Sequence, residues 1–190
     1  ALGVQIVGSI SDLLKLVDVV LLETNDGRLH KDQAFQVLKA HKPMFIDKPT
    51  AASLADVLAI YDEAGKQNVP IFSCSSLRYM KSAQQVRYEN KIGKVVAADT
   101  FSPATLEPHH PDLFWYGIHG VEVLFTVMGA GCESVTRFQT EDTEVVVGKW
   151  KDGRLGTFRG TRKGKHDYGG TAYGANGNIS LGPFDGYEGL

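Results

Sequence analysis

Between Val17 and Ser75 the chain alternates two hydrophobic periods, and this alternation limits its fold more than any other feature. "VDVVLLE" (17–23) is a short apolar, β-branched run, the pattern of a strand buried on both faces. "NDG" then marks a loop. A helix is predicted over 30–41, with Ala34, Val37 and Leu38 on one face and Pro43 stopping it. "MFID" (44–47) is the next strand. Ser53, with Asp56 three residues on, caps a second helix carrying Leu54, Val57, Leu58, Tyr61 and Ala64 on one stripe. "VPIFSCS" is a third strand. Strand, helix, strand, helix, strand on short loops predicts a parallel sheet with right-handed crossovers.

The pattern then changes. A helix is predicted from about Tyr79 to Ile92, ended by Gly93, then a strand over 94–101 and a mostly apolar helix over 114–128 closed by Gly129 and Gly131. Alternating segments follow: "ESVTRFQT", "TEVVVGKW", "RLGTFRGT" and "GTAYGANGNISLG". Asp152-Gly153 within "KDGR" is a hairpin signal. The division expected is 1–78, an α/β part, and 79–190, an α+β part with an open, mainly antiparallel sheet. The opening "ALGVQIVGSISDLL" reads as a short strand and a helix start, and the closing "FDGYEGL" as a helix beginning. Both ends read as cut, because three parallel strands are few for a self-standing open sheet.

Composition narrows the function classes. A net charge of -2 over 190 residues gives no concentrated basic face for nucleic acid. Lys163 and Lys165 read as a solvated turn. No apolar run reaches the ~18 residues of a membrane span, and no targeting segment is read at Ala1. Cys74 and Cys132 are the only cysteines. They read as buried structural thiols without disulfide or zinc spacing, which suits a reducing, cytoplasmic setting. His109 and His110 have no third ligand at helical or hairpin spacing, so no metal is expected; they read as a substrate-side loop or plain surface.

The stretch "FIDKPTA" (45–51) ends a strand on an acid, a lysine and a proline. In open parallel sheets ligands bind at the carboxyl ends of the strands. Asp47 and Lys48 sit at such an end; Thr24, Asn25 and Asp26 end the strand before, and Ser75, Ser76 and Arg78 follow the one after. Pro49 fixes the chain direction beyond Lys48. A lysine partly buried there loses proton affinity and becomes a usable acid or base, with Asp47 to orient it. The plainer reading is a surface ion pair.

These residues resemble the glucose–fructose oxidoreductase, inositol dehydrogenase and rhizopine-catabolism (Gfo/Idh/MocA) family. Its threonine–proline–asparagine turn with a histidine six residues after the threonine is partly matched by Thr24, Asn25, Asp26 and His30. Its glutamate–lysine–proline signature is matched by Asp47, Lys48 and Pro49, and an arginine after the next strand by Arg78. Its second signature, aspartate–x–glycine–x–histidine–x–x–aspartate, is matched by Gly117, His119 and Glu122, with Trp115 where the first aspartate stands. The resemblance runs through essentially the whole chain.

What the resemblance implies is a partial Rossmann domain followed by a substrate domain, NAD or NADP as cofactor, and hydride transfer to or from a sugar, cyclitol or related polyol or keto compound. Lys48 and His119 would be catalytic. Thr24, Asn25, Asp26, His30, Asp47, Lys48, Pro49 and Arg78 would contact cofactor, and Lys48, Trp115, Tyr116 and His119 the substrate. Trp115 leaves His119 without its usual acidic partner; Tyr116 and Asp112 are nearby candidates to replace it, and the sequence shows neither doing so. A homo-oligomer through the antiparallel sheet is implied as well. No G-x-G-x-x-G turn precedes Val17, and "GGTAYGANG" reads as a turn region rather than a phosphate cradle. Two other readings stand beside this one: a degenerate, non-catalytic assembly module, and a sugar-binding protein without redox chemistry.

Overall fold

The computed structural model describes residues 3–184 and 186. The chain forms two compact units, Ala1–Cys74 with Pro108–Pro111, and Ser75–Glu107 with Asp112–Leu190.

The first unit contains α1 (Ile10–Leu13), β1 (Val20–Leu22), α2 (His30–Lys39), β2 (Met44–Ile46), α3 (Leu54–Gln67) and β3 (Ile71–Phe72). The three strands pair in parallel in the order β1-β2-β3, as the alternation predicts. Ser9 and Ser53 cap α1 and α3, each accepting the backbone N–H three residues on, from Asp12 and Asp56. Asn68 ends α3 in the left-handed conformation. Among the described residues of the opening stretch, 3–9 form no strand.

Two expectations about burial are corrected. β1 is covered on one face only: Val20 and Leu22 are 6% and 8% exposed, but Leu21 is 67% exposed. Two right-handed crossovers in one direction put α2 and α3 on the same side, against Val20, Leu22, Met44 and Ile46. Leu21 pairs in register with Phe45, and Phe45 with Phe72, on the other side. On α3 the buried residues are Ile60 and Ala64 with Val57 packed beside them, whereas Leu54, Leu58 and Tyr61 are exposed. A 3.6-residue period generates two overlapping stripes here, and contact with α2 and the sheet selects the one containing Ile60.

The second unit opens with a 3₁₀ turn (Ser76–Tyr79) and α4 (Lys81–Tyr88), then β4 (Val95–Pro103), a 3₁₀ turn (Asp112–Phe114), α5 (Gly117–Met128), β5 (Cys132–Gln139), β6 (Thr143–Trp150), β7 (Leu155–Thr161), β8 (Gly169–Gly174) and β9 (Gly177–Leu181). The helix expected from about Tyr79 to Ile92 forms over Lys81–Tyr88, starting after Met80, whose ψ of 129° is not helical. The six strands run β5-β6-β7-β4-β8-β9, all antiparallel except the β4–β7 pair. α5 lies on one face: the Thr100 hydroxyl donates to the Gly120 carbonyl at 3.0 Å, and a Cβ at Gly120 would come within 2.5 Å of the Phe158 ring. Trp150 and Phe158, both 1% exposed, are the largest side chains of the core. The Asp152-Gly153 turn forms, with Gly153 at φ +86°.

"GGTAYGANG", read as a turn region between antiparallel strands, comprises β8 and the turn into β9. Its glycines serve close strand approach: a Cβ at Gly170 would strike the Asp99 carbonyl oxygen, and one at Gly174 the Ile92 carbonyl oxygen. Gly174→Ala is expected to cost about 3 kcal/mol, the upper range for overpacking. Gly65→Ala, in α3 with nothing near its Cβ position, is expected to stabilise by about 0.5–1 kcal/mol. Urea denaturation of both variants checks the contrast. Cys74 is buried, whereas Cys132 is only half-buried, because it opens edge strand β5. The closing helix read from "FDGYEGL" falls on 185 and 187–190, outside the described residues.

Candidate active site

In the first unit the carboxyl ends of β1, β2 and β3 are tied together by buried polar contacts. His30, fully buried at the start of α2, places Nε2 2.6 Å from the Thr24 carbonyl oxygen and Nδ1 2.9 Å from that of Pro49. The Asp47 N–H donates to Leu22, and the Ala52 N–H to Gly27. The Thr50 hydroxyl donates to Ser73 at 2.9 Å. Gly27 packs against the corner, since a Cβ there would come within 3.1 Å of Pro49. The Gly27 N–H donates to His110 Nε2 at 3.2 Å. His110 is thus a buried anchor of this loop rather than a surface residue, while His109 is exposed.

This scaffold fixes Lys48. Pro49 is fully buried and joined to Lys48 by a cis peptide. Burial lowers the lysine's pKa from its ordinary 10.5, opposed by the Asp47 carboxylate beside it. Asp26 is held by Arg28 through both carboxylate oxygens, which keeps its carboxyl well below the usual range. Asn25 is exposed and Thr24 half-buried. His30 has both ring nitrogens on backbone carbonyls, so its place is inside the loop framework.

In the second unit His119, in the first turn of α5, sits among aromatic rings. Tyr116 lies edge-on at 5.4 Å and Tyr168 edge-on at 5.8 Å, and Trp115 packs against Tyr116 at 5.9 Å. His119 Nδ1 is 2.7 Å from the Ser75 hydroxyl. Arg78 pairs with Glu122, one turn along α5 from His119. Burial raises the Glu122 pKa, and Arg78 and the Ser75 N–H act against that rise. Arg78 therefore meets a carboxylate on α5. Asp112, one of the two candidates for an acidic partner of His119, is gripped by Arg137, which lowers its pKa.

Sequence reasoning missed three groups. Ser75 was legible as a strand-end polar residue but not as the histidine's partner. Tyr168 carried no signal. Glu144, 1% exposed on β6, lies between Arg137 and Arg162, and in sequence it is an ordinary strand carboxylate. Among the described residues no cluster of three His, Cys, Asp or Glu side chains has metal-binding geometry, and no helix is long and apolar enough to cross a membrane.

Residues 1–74 match the model of the GFO_IDH_MocA family, described as an oxidoreductase family with an NAD-binding Rossmann fold. The chain is 24% identical over 174 residues to the myo-inositol 2-dehydrogenase of Thermotoga maritima, an alignment covering 80% of this chain and 52% of that protein. An NAD-binding oxidoreductase from Klebsiella pneumoniae superimposes with a TM-score of 0.79 at 18% identity, over 93% of this chain and 57% of the other. The scyllo-inositol dehydrogenase of Lactobacillus casei, with bound NAD(H) and scyllo-inositol, superimposes with a TM-score of 0.74 at 16% identity, over 93% and 61%. The fold combines a Rossmann-type parallel sheet, in the matched segment, with a second, mainly antiparallel sheet. Over residues 1–74 the chain is similar to the Gfo/Idh/MocA family. It spans about half the length of the curated relative it matches, 52%.

Proposed function

We propose that this chain serves NAD(P)-linked hydride transfer to or from a sugar, cyclitol or related polyol or keto compound. The observation that carries the reading is Lys48: a lysine with weakened proton affinity, fixed by a buried proline at the carboxyl edge of a parallel sheet. The bound nicotinamide would supply the hydride chemistry. The loops at 24–27 and 47–49 pack closely on one another beside Lys48, because Gly27 has no side chain where the Pro49 ring lies. Lys48, in the first unit, polarises or deprotonates the reacting hydroxyl; in the second unit His119 is the group assigned to proton exchange. Trp115 and Tyr116 offer aromatic faces to a sugar ring. The first unit is assigned to the dinucleotide and the second to substrate and self-association. In support of a homo-oligomer, the face of the second sheet away from α5 exposes Phe101, Phe138 and Leu155 at 39%, 68% and 51%. A cytoplasmic setting is proposed because the chain's two cysteines, 58 positions apart, have no disulfide-framework or zinc spacing.

Titration of NADH and NADPH by fluorescence, then turnover against a polyol and inositol panel, tests the reading. Cofactor binding with turnover of at least one cyclitol or sugar is expected. Sugar binding that ignores cofactor would replace it with a non-redox binding role. If turnover occurs, its rate rises with pH along a limb below 10.5, since the neutral amine of Lys48 is the active form.

A further inference from the structure

We infer that Ser75 is a positioning residue: its hydroxyl holds Nδ1 of His119 and directs proton exchange to Nε2. The inference rests on the proposed role of His119. Three features place the hydroxyl. Ser75 is 1% exposed. Its Oγ accepts the Leu77 N–H at 3.1 Å, which orients the side chain over the 3₁₀ turn. Its own N–H faces the Glu122 carboxylate, which Arg78 neutralises from the same turn. The result is a bracket: Arg78 and Glu122 fix the backbone of Ser75, and Ser75 fixes the ring.

The aromatic walls complete the restraint. Tyr116 and Tyr168 meet the imidazole edge-on at interplanar angles of 76° and 85°, so rotation of the ring about its bond to Cβ would drive it into one of them. With Nδ1 spent on Ser75 at 2.7 Å, Nε2, on the opposite side of the ring, is the nitrogen that meets a substrate proton. The partner is a neutral hydroxyl, so it aligns the ring without placing a full negative charge on Nδ1. Glu122 and Arg78, the charged groups that bracket Ser75, are paired with each other.

The test follows the ring protons of His119 by NMR against pH in the whole 190-residue chain, with the assignment taken from a His119→Gln spectrum. Ser75→Thr keeps the hydroxyl and is expected to reproduce the native curve. Ser75→Asp is expected to raise the His119 midpoint by about one pH unit or more relative to Ser75→Ala, because a carboxylate on Nδ1 favours the charged ring. The other histidines should not move. Coincident His119 curves for the Asp and Ala variants would overturn the inference. Should Ser75→Ala not fold, the comparison of Thr with Asp decides in the same way. None of these readouts needs turnover, so an inactive protein with the expected shifts would defeat the dehydrogenase reading and leave the positioning role standing.

Discussion

Lys48→Ala is expected to lower turnover by about 10²–10⁴-fold, the usual weight of one general acid or base, while cofactor affinity changes little. Alanine removes the amine but leaves the corner intact, because Pro49, His30 and the Thr24 carbonyl hold the loop through contacts that do not involve the Lys48 side chain. Steady-state kinetics beside NAD(P)H titration separates the two effects. Near-normal turnover would remove Lys48 from the chemistry. A large loss of cofactor affinity with unchanged maximal rate would make it a binding group. The same lysine leaves a mark on stability. Its folded pKa lies below the unfolded one, so between that lowered value and 10.5 the unfolded chain binds more protons. Stability therefore gains with rising pH across that window, and Lys48→Met should erase this contribution.

Glu144→Ala is expected to destabilise the second unit by about 3–5 kcal/mol, the range for stripping one partner from a buried ion pair. The Glu144 side chain is 0% exposed and faces the guanidinium groups of Arg137 and Arg162, at 28% and 15%. Removing the carboxylate leaves two partly buried cations facing each other across a void. Glu144→Gln keeps the volume and one acceptor oxygen and should fall between native and alanine. Urea denaturation measures both, and a loss under about 1 kcal/mol for alanine would reduce the cluster to surface pairing. Arg137 also holds Asp112, just ahead of Trp115 and Tyr116. The alanine variant should therefore also loosen the segment leading into α5, seen as faster amide exchange there.

The first unit was legible in sequence where the signal is local. Strand and helix periods, the Ser53 cap and the proline stop after α2 each act within a few residues. What the sequence left open depends on which side the crossovers fall. Leu21 reads like its neighbours Val20 and Leu22, and only the placement of α2 and α3 separates them. Lys48 was found because its whole argument is packed into a strand end. The surroundings of His119 were not, since Ser75 lies 44 residues away in the chain and no pattern links a serine after one strand to a histidine on a distant helix. Glu144 escaped for a related reason: its two arginines lie on β5 and just past the end of β7, and pairing across a sheet has no imprint in the period of any one strand. Arg78 was recognised as important, yet its partner on α5 is again remote in sequence.

The single parallel pair in the second sheet bears on how that unit is assembled during folding. β5, β6 and β7 succeed one another through short turns, and β8 and β9 form a hairpin, so both blocks can zip from local contacts. β4 cannot. It enters between β7 and β8, and the hydrogen bond from Thr157 to Asp99 joins residues 58 apart. Loop-closure entropy must be met before that seam returns any contact energy. The middle of the finished sheet is thus its latest join, and α5, which spans the intervening chain and packs on both β4 and β7, is the element that shortens the search.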